Sequence, residues 1–434
     1  MIEQKKRNIL KDVHFYANFT IGFFIAILLH FLEFTTFGIK TLDSVFDFFI
    51  RHESNIAQEI AFSGNVDSKI SSDLLFIDFR LQDYNKWGNP LITPRDEIAR
   101  QIHIADSNKA KIVITDFIFD YKDCCYPEKD DSLRRVLTRI ASNGNNTKVI
   151  FPVQIGENKI LKPLIYDDII SINKRKLLKA VPLVVASAHD NLVRYAEDFK
   201  EYKNNKTDIA NYRIMSIPSL VGKIISGSQI TDPEMDSTRS KNYRLPPELK
   251  QSENGKKKSL EEYAYKRRIR YLLIPPEDSA EVKDGDIPLG QYYTIDNAST
   301  ANFDNKIVII GSSNPELTDN HETPVGRMAG MYILGNVINT EIMNLYPAEV
   351  PGWIKYLTEI IIILIASYVF LLYEPFKAQL ITSILLLIPF GFLNYYLFFK
   401  YGIIINILLP TMGISFHRII GSIENDFSKK HEKH

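Results

Sequence analysis

The sequence lacks an excess of charge of either sign. Its 434 residues include 52 Lys and Arg and 52 Asp and Glu, which gives a formal net charge of +0. Proteins that bind nucleic acid carry surplus cations, because these cations replace the counterions of the phosphates. The even balance therefore argues against nucleic acid as a partner of this chain.

The sequence has little cysteine, and its two cysteines, Cys124 and Cys125, are adjacent. Two thiols exclude a disulfide-rich scaffold, and no H-x-x-x-H or C-x-x-C spacing is present, so we predict no metal site and no cofactor. A bridge between neighbouring cysteines closes a strained ring that is readily reduced. The pair is predicted to lie in a loop, as thiols or as one such bridge. A redox sensor and a cross-link between subunits of a homo-oligomer are the alternatives.

The short motifs of common enzymes are also missing. The segment GKIISGSQ has glycines but lacks the G-K-[ST] ending of a phosphate-binding loop. The segment IIGSSNP contains Ser312 and Ser313, and Asp319 and His321 follow it, but the G-x-S-x-G elbow of a serine hydrolase is not there. We therefore expect no enzymatic activity, and a periplasmic hydrolase is the disfavoured alternative.

Apolar residues are concentrated near the two ends of the chain, although its mean hydropathy is only -0.10. A run of roughly 20 apolar residues is long enough to cross the core of a bilayer. We predict four membrane-spanning helices, over residues 17–38, 353–372, 378–399 and 402–420. Lys5, Lys6 and Arg7 precede the first run and the chain ends in SKKHEKH, so both ends favour the cytoplasmic side.

An even number of spans places both termini on one side of the membrane. The prediction is a multi-pass protein with residues 1–16 and 421–434 in the cytoplasm and residues 39–352 on the outer side. A cleaved signal peptide is the competing interpretation of the first run. A retained anchor is favoured, because the run is long and no small-x-small cleavage site follows it.

Residues 39–352 predict an α/β domain with a mainly parallel sheet covered by helices. Short apolar runs rich in β-branched residues predict strands that are buried on both faces. The predicted strands cover residues 74–79, 111–119, 149–154, 269–275 and 306–312. Apolar residues three and four apart predict helices between the strands. The predicted helices cover residues 96–107, 130–142 and 330–343.

Two further segments complete this domain. Residues 39–54 are amphipathic, with Leu42, Phe46 and Phe49 on one face, and they predict a helical stalk after the first span. Residues 232–258 are rich in Ser, Pro, Lys and Glu, and they predict a polar surface loop or insertion.

Several separated motifs give this domain a family resemblance. They are KWGNPLITPR, AHDNLVR, SIPSL and the long run KIVIIGSSNPELTDNHETPVGRMAGMYILGNVI. The residues that carry them are Trp87, Pro94, Arg95, Asp190, Arg194, Ser219, Gly311, Asp319, Thr323, Pro324, Gly330 and Asn336. With these motifs, residues 42–346 resemble the CHASE2 family, an extracytoplasmic sensory domain of bacterial membrane receptors. Asn191 departs from the pattern, since the family usually has glycine there.

The resemblance implies a periplasmic sensory domain, followed by three spans, in the bacterial inner membrane. Family members usually pass their signal to a cytoplasmic kinase or cyclase domain, but only residues 421–434 follow the last predicted span, too few to fold as a domain. We therefore expect a sensor or accessory receptor that acts on a separate partner. The alternative is a non-signalling scaffold subunit of an envelope or transport complex.

Ligand sites of parallel α/β sheets lie beyond the carboxyl ends of the strands. These ends carry Asp78, Arg80, Asp116, Asp120, Ser312, Ser313 and Asp319. Arg95 is predicted to pair with Asp78 or Asp116, because arginine forms two-pronged contacts with carboxylates. These residues either bind a polar ligand of unknown identity or form a buried structural network. The expected partners are therefore the lipid bilayer, this ligand and a separate signalling or envelope protein.

Overall fold

The computed structural model describes residues 16, 19–25, 27, 36–62, 69–123, 126–142, 145–156, 162–187, 190–203, 211–228, 234–236, 266–273, 292–316 and 319–405. The chain divides into two compact units. One is Ile50–Tyr346, and the other is made of Met1–Phe49 and Pro347–His434.

Helices and strands alternate through the first of these units, as the sequence predicts, and the first helix begins in the other unit, to which its residues up to Phe49 belong. In chain order the elements are α1 (Thr36–Phe62), β1 (Leu74–Phe79), α2 (Leu81–Lys86), α3 (Arg95–Ser107), β2 (Ile112–Thr115), α4 (Pro127–Ser142), β3 (Lys148–Pro152), α5 (Asp167–Ile172), β4 (Leu177–Ala180), β5 (Val184–Ala186), β6 (Val193–Glu197), β7 (Phe199–Lys203), β8 (Asn211–Met215), α6 (Ile217–Ile225), β9 (Glu234–Asp236), β10 (Lys266–Arg268), β11 (Tyr292–Thr294), a 3-10 turn (Ala298–Thr300), β12 (Ile307–Ser312), β13 (Asn320–Thr323), β14 (Gly326–Ala329) and α7 (Gly330–Ile342). Helix α1 contains the amphipathic segment predicted over residues 39–54.

Six parallel strands form the central sheet, in the order β11-β1-β12-β2-β3-β4. Every residue of β1 and β2 is buried, as expected for strands that are covered on both faces. The predicted mainly parallel sheet is confirmed, and so are helices α3, α4 and α7. Strand β2 ends at Thr115 rather than at the predicted residue 119.

The two faces of the sheet are covered by different helices. Leu75, Ile77 and Phe79 of β1 pack into one apolar core with residues of α3 and α4. Helix α7 covers the other face, where Gly335 allows a close approach to Phe76. A Cβ at residue 335 would lie 2.3 Å from the tip of the Phe76 ring. Residues that alternate along β1 therefore face different helices.

The remaining strands of this unit form smaller antiparallel sheets: β5-β6-β10, β7-β8-β9 and the hairpin β13-β14. The strand predicted over residues 269–275 is wrong, because residues 269–273 belong to no strand and the neighbouring strand β10 pairs with β6. The polar loop predicted over residues 232–258 contains the strand β9. The other residues of that loop lie outside the described part of the chain.

At Leu272 and Leu273 a side chain of α7 takes the place of a neighbouring strand. The Oδ1 atom of Asn336 accepts hydrogen bonds from the amides of Leu272 and Leu273, both at 2.8 Å. Its Nδ2 atom donates to the carbonyl of Leu273 at 2.8 Å. Buried backbone groups need partners, and here one amide side chain satisfies three of them.

The second unit contains β15 (Ala348–Glu349), α8 (Gly352–Leu372), α9 (Pro375–Tyr401) and β16 (Ile403–Ile404). Gly352–Leu372 and Phe376–Tyr401 are long and apolar enough to cross a membrane, and they are the two such helices among the described residues. Four were predicted. Residues 17–38 are described only in part, and residues 406–420 lie outside the description.

The helix predicted over residues 402–420 is wrong at its beginning. Gly402 has a φ of +69°, in the left-handed region that favours glycine, and it ends α9. The following residues form β16, which pairs with β15. Asn394 of α9 fixes this turn, since its Oδ1 accepts from the amide of Ile405 at 2.7 Å and its Nδ2 donates to the carbonyl of Ile405 at 2.9 Å.

Candidate functional site

The carboxyl ends of β1, β12 and β2 place two predicted acids on either side of a glycine. Asp78 lies beside Gly311 in the parallel register, and the amide of Asp116 donates to the carbonyl of Ile310 at 2.8 Å. A Cβ at residue 311 would lie 3.2 Å from the Cβ of Asp116 and 2.7 Å from that of Met331. This Asp78–Gly311–Asp116 row is therefore on the face covered by the first turn of α7, and glycine allows the helix to approach.

Asp78 is buried and its carboxylate has several partners. Its Oδ1 accepts from the amide of Ser313 at 2.8 Å, and its Oδ2 accepts from the hydroxyls of Ser313 at 2.6 Å and Tyr332 at 2.9 Å. The Nε atom of Arg80 lies 3.9 Å from Oδ2. Burial raises the pKa of the Asp78 carboxyl, whereas these hydrogen bonds and the charge of Arg80 lower it. The structure thus brings Asp78, Arg80 and Ser313 together.

Asp319 and His321 lie against the first residue of α7. The Nε2 atom of His321 is 2.9 Å from Oδ1 of Asp319, and the carbonyl of Asp319 accepts from the amide of Gly330 at 2.9 Å. A Cβ at residue 330 would lie 2.0 Å from Oδ2 of Asp319, so glycine makes room for the carboxylate at the helix N-terminus, where negative charge is favourable.

Asp116 belongs to the same electrostatic group. Burial, and then the negative charge of Asp319, raise the pKa of the Asp116 carboxyl to about 7, and the charge of His321 acts against the rise. The hydrogen bond to Asp319 raises the pKa of His321. We call these three residues the Asp116–Asp319–His321 cluster.

Arg95 pairs with neither carboxylate of the Asp78–Gly311–Asp116 row, contrary to the prediction. Its guanidinium lies over the ring of Phe119, 4.5 Å from the centroid, and its Nη2 donates to the carbonyl of Ile118 at 2.9 Å. The acid that it approaches is Asp130, whose Oδ1 is 3.8 Å from Nε. These residues lie on the sheet face covered by α3 and α4, so the sheet separates Arg95 from both predicted partners.

The hydroxyls of Ser312 and Ser313 are used in structural hydrogen bonds. Ser312 donates to the carbonyl of Phe79 at 2.7 Å, and Ser313 donates to Asp78. In the described part of the chain neither hydroxyl bonds to His321, whose partner is Asp319. The described geometry therefore does not supply the serine–histidine contact of a hydrolase.

The other predicted site residues stand apart from this edge or outside the description. Asp120 pairs with Lys162 at 3.3 Å. Cys124 and Cys125 lie outside the described residues. Among the residues that are described, no group of three His, Cys, Asp or Glu side chains is arranged to hold a metal ion.

A buried ion pair that the sequence did not predict joins α1 to the segment after β10. Arg270 and Glu53 are only 1% and 2% exposed. The Nε of Arg270 donates to Oε2 of Glu53 at 2.5 Å, its Nη2 donates to Oε1, and Lys69 donates to Oε1 at 2.6 Å. The two residues are 217 positions apart, so no local spacing pairs them. An arginine inside the apolar run IRYLLIP was the available signal, because a buried charge needs a partner.

Asn191, the departure from the family pattern, has a structural explanation. Its φ is +58°, in the left-handed region where glycine is unstrained and asparagine is tolerated. Its neighbour Asp190 forms a two-pronged ion pair with Arg194, with both distances 2.7 Å. The turn therefore needs a left-handed residue at 191 to keep this ion pair.

Asn191→Val is expected to lower the free energy of unfolding by about 1–2 kcal/mol, because a side chain branched at Cβ is strained in the left-handed region. Asn191→Gly is expected to be close to neutral. Urea unfolding of the purified full-length protein in a Trp353→Phe background, followed by the fluorescence of Trp87, measures both. Lys174→Val, at an exposed turn position without positive φ, is the control. Equal losses for the two valine variants would contradict the assignment.

Comparison with protein families matches residues 21–372, most of the chain, to the CHASE2 domain. Searches among curated proteins and among solved structures gave no match. The matched range includes the central sheet, α7 and the Asp78–Gly311–Asp116 row. The chain therefore belongs to the CHASE2 family, whose domain is an extracytoplasmic sensory domain.

Proposed function

We propose that this protein is a sensor or accessory receptor of the bacterial inner membrane. Its domain detects a ligand or protein at the carboxyl end of the parallel sheet and passes the signal to a separate partner protein. The observation that carries the proposal is the position of α7. The first turn of this helix covers the Asp78–Gly311–Asp116 row. Its later turns bond to residues 69–71 and 270–273, whose cations form ion pairs with Glu53 of α1.

The input side is the edge of the sheet where open α/β folds take their ligands. Asp116 is partly buried there, and no described residue donates a hydrogen bond to its carboxylate. Ser313 and Tyr332 fix Asp78 on the other side of Gly311. A ligand that binds Asp116 therefore lies next to the start of α7, in a site whose other carboxylate is already fixed by hydrogen bonds.

The output side is a ladder of buried polar residues along α7. Asn336, Asn339 and Thr340 are three and four residues apart, so they lie on one side of the helix, and all three are 0% exposed. Asn339 accepts from the amide of Ser71 at 2.8 Å and donates to the carbonyl of Lys69 at 3.1 Å. These three residues connect α7 to two segments, residues 69–71 and 270–273. The cations of these segments, Lys69 and Arg270, bind Glu53.

Thr340 completes the connection, because its Oγ1 accepts from the amide of Arg270 at 3.2 Å. Arg270 and Lys69 both bind the carboxylate of Glu53, which belongs to α1. A displacement of α7 therefore moves both cations of a buried ion pair on α1. The ligand must favour one of two positions of α7, since only a difference in affinity shifts such an equilibrium.

Replacing the ion pair by apolar residues in the double variant Glu53→Met/Arg270→Met is expected to leave the protein folded in the membrane but to abolish its signal. Buried ion pairs can often be replaced by packed apolar residues without loss of stability. In-cell crosslinking of wild type and variant, with identification of the captured partner and measurement of its output, tests this. The output is protein phosphorylation or cyclic nucleotide, according to the partner.

The matched control is Asp73→Met/Lys306→Met, which removes the more exposed 2.7 Å ion pair of the same unit. A sensor loses its output in the first variant and keeps it in the control. If the partners are envelope assembly or transport components, and both variants behave as wild type, the protein is a scaffold and the proposal fails.

A further inference from the structure

The Asp116–Asp319–His321 cluster combines two carboxylates with one histidine. His321 bonds to Oδ1 of Asp319 at 2.9 Å, while Oδ2 of Asp319 lies against the Cα side of Gly330. One histidine, His321, therefore stands with two carboxylates. The carboxylate of Asp116 has no hydrogen-bond donor among the described residues.

The neighbouring charges do not supply that donor. On the β1 side stand Asp78, which is bonded to Ser313 and Tyr332, and Arg80, which lies 3.9 Å from Asp78. On the hairpin side, Glu322 and Arg327 face each other across the β13–β14 register. The first residues of α7, Gly330 and Met331, carry no side-chain charge. The N-terminus of α7 favours negative charge, and the carboxylate that lies against it is that of Asp319.

We propose that the Asp116–Asp319–His321 cluster binds a proton from the extracytoplasmic medium and so makes the position of α7 respond to acidity. This inference deepens the proposed function, on which its signalling role rests. A hydronium ion of the medium gives its proton to a carboxyl oxygen of Asp116, so that one O–H bond of hydronium breaks, one O–H bond forms and water remains. The raised pKa values of Asp116 and His321 agree with this geometry.

The consequence for α7 follows from the packing around Gly311 and Gly330. With the proton bound, Asp116 is neutral and His321 balances Asp319. When the proton leaves, both Asp116 and Asp319 carry charge beside the first turn of α7, and two neighbouring like charges repel. Gly330 of α7 lies against the Asp319 carboxylate, and Gly311 lies between Asp116 and Met331 of α7, so the repulsion acts on the start of α7.

The sign of the pH dependence is fixed by these shifts. The folded protein holds the Asp116 proton up to about pH 7, whereas an unfolded aspartate releases it near its ordinary value of 3.8. His321 likewise holds its proton to a higher pH in the folded state. The folded state therefore binds more protons than the unfolded state in this range, and raising the pH towards 8 favours unfolding.

Asp116→Asn is the test, made on the full-length protein in nanodiscs between about pH 5.5 and about pH 8. Wild type is expected to lose thermal stability as the pH rises, with faster hydrogen exchange in residues 326–345. Asp116→Asn is expected to lose most of this dependence and to be more stable than wild type at the upper end. Asp304→Asn, an exposed turn carboxylate, is expected to behave as wild type.

His321→Gln is a second variant that keeps the test decisive if Asp116→Asn folds poorly. It is expected to move the pH dependence of wild type, because it removes the charge that opposes the rise in the pKa of Asp116. A pH profile of either folded variant that coincides with wild type overturns the proton site. Loss of output in Glu53→Met/Arg270→Met would still stand in that case, so the two proposals fail separately.

Discussion

Arg270→Ala is expected to lower the free energy of unfolding of the Ile50–Tyr346 unit by about 3–5 kcal/mol, because it leaves the carboxylate of Glu53 buried without its main partner. Glu53 is 2% exposed, and Arg270 gives it two hydrogen bonds. Lys69 is the remaining cation, but burial lowers its pKa. One cation at the edge of the site does not replace the two-pronged contact.

The measurement is denaturant unfolding of the full-length protein in detergent, in a Trp353→Phe background. The chain has two tryptophans, so Trp87 then becomes the sole reporter. Its ring packs beside Phe79 and Tyr84 in the domain core, with centroids 5.8 and 5.7 Å away. Unfolding of this unit therefore changes its emission.

The double variant Glu53→Met/Arg270→Met separates a coupled pair from two independent side chains. For a coupled pair it is expected to be nearer in stability to wild type than either Arg270→Met or Glu53→Met, because neither member of the buried pair is left without the other. If the loss in the double variant equals the sum of the two single losses, the residues act independently and the ion pair has no role in holding α1.

Much of the fold follows from local patterns. The runs LLFIDF, KIVIT and KIVIIGS predict buried parallel strands, since they are apolar without alternation, and the sheet contains all three. The parallel order then places Asp78 and Asp116 at one edge, because parallel strands end on the same side. Their common face also follows from alternation along the strands.

Long-range contacts were the limit of prediction. Arg95 was expected beside Asp78 or Asp116, but the sequence does not tell which face of the sheet its side chain joins. It lies on the face covered by α3 and α4, near Asp130. The pair of Glu53 and Arg270 depends on a fold that brings residues 217 positions apart together.

The segment after β10 shows why an apolar run alone does not define a strand. IRYLLIP has the composition of a strand, yet residues 269–273 form none, and the amides of Leu272 and Leu273 bond to a helix. Asn336 supplies an acceptor and donors that mimic a peptide group of a neighbouring strand. A single buried asparagine on an apolar helix was the local feature that distinguished this case.

Asn336→Leu is accordingly expected to lower the free energy of unfolding of this unit by at least about 3 kcal/mol. The substitution leaves the amides of Leu272 and Leu273 and the carbonyl of Leu273 without their partner, and each buried unpaired group costs about 1–3 kcal/mol. Leucine has a similar volume, so the loss reports on hydrogen bonding rather than on a cavity. Denaturant unfolding followed by Trp87 measures it.

Two further variants grade the effect. Asn336→Asp keeps the acceptor for both amides but loses the donor to the carbonyl of Leu273. At a pH where the aspartate is ionised, its loss of unfolding free energy is expected to be smaller than that of Asn336→Leu.

Thr340→Val removes one hydroxyl that accepts from the Arg270 amide and is expected to lower the free energy of unfolding by about 1–3 kcal/mol. A larger loss of unfolding free energy in Thr340→Val than in Asn336→Leu would contradict the role of Asn336 as the substitute for a neighbouring strand. The segment that binds Glu53 would then depend on Arg270 and Thr340, and the output side of α7 would lie one turn later than we infer.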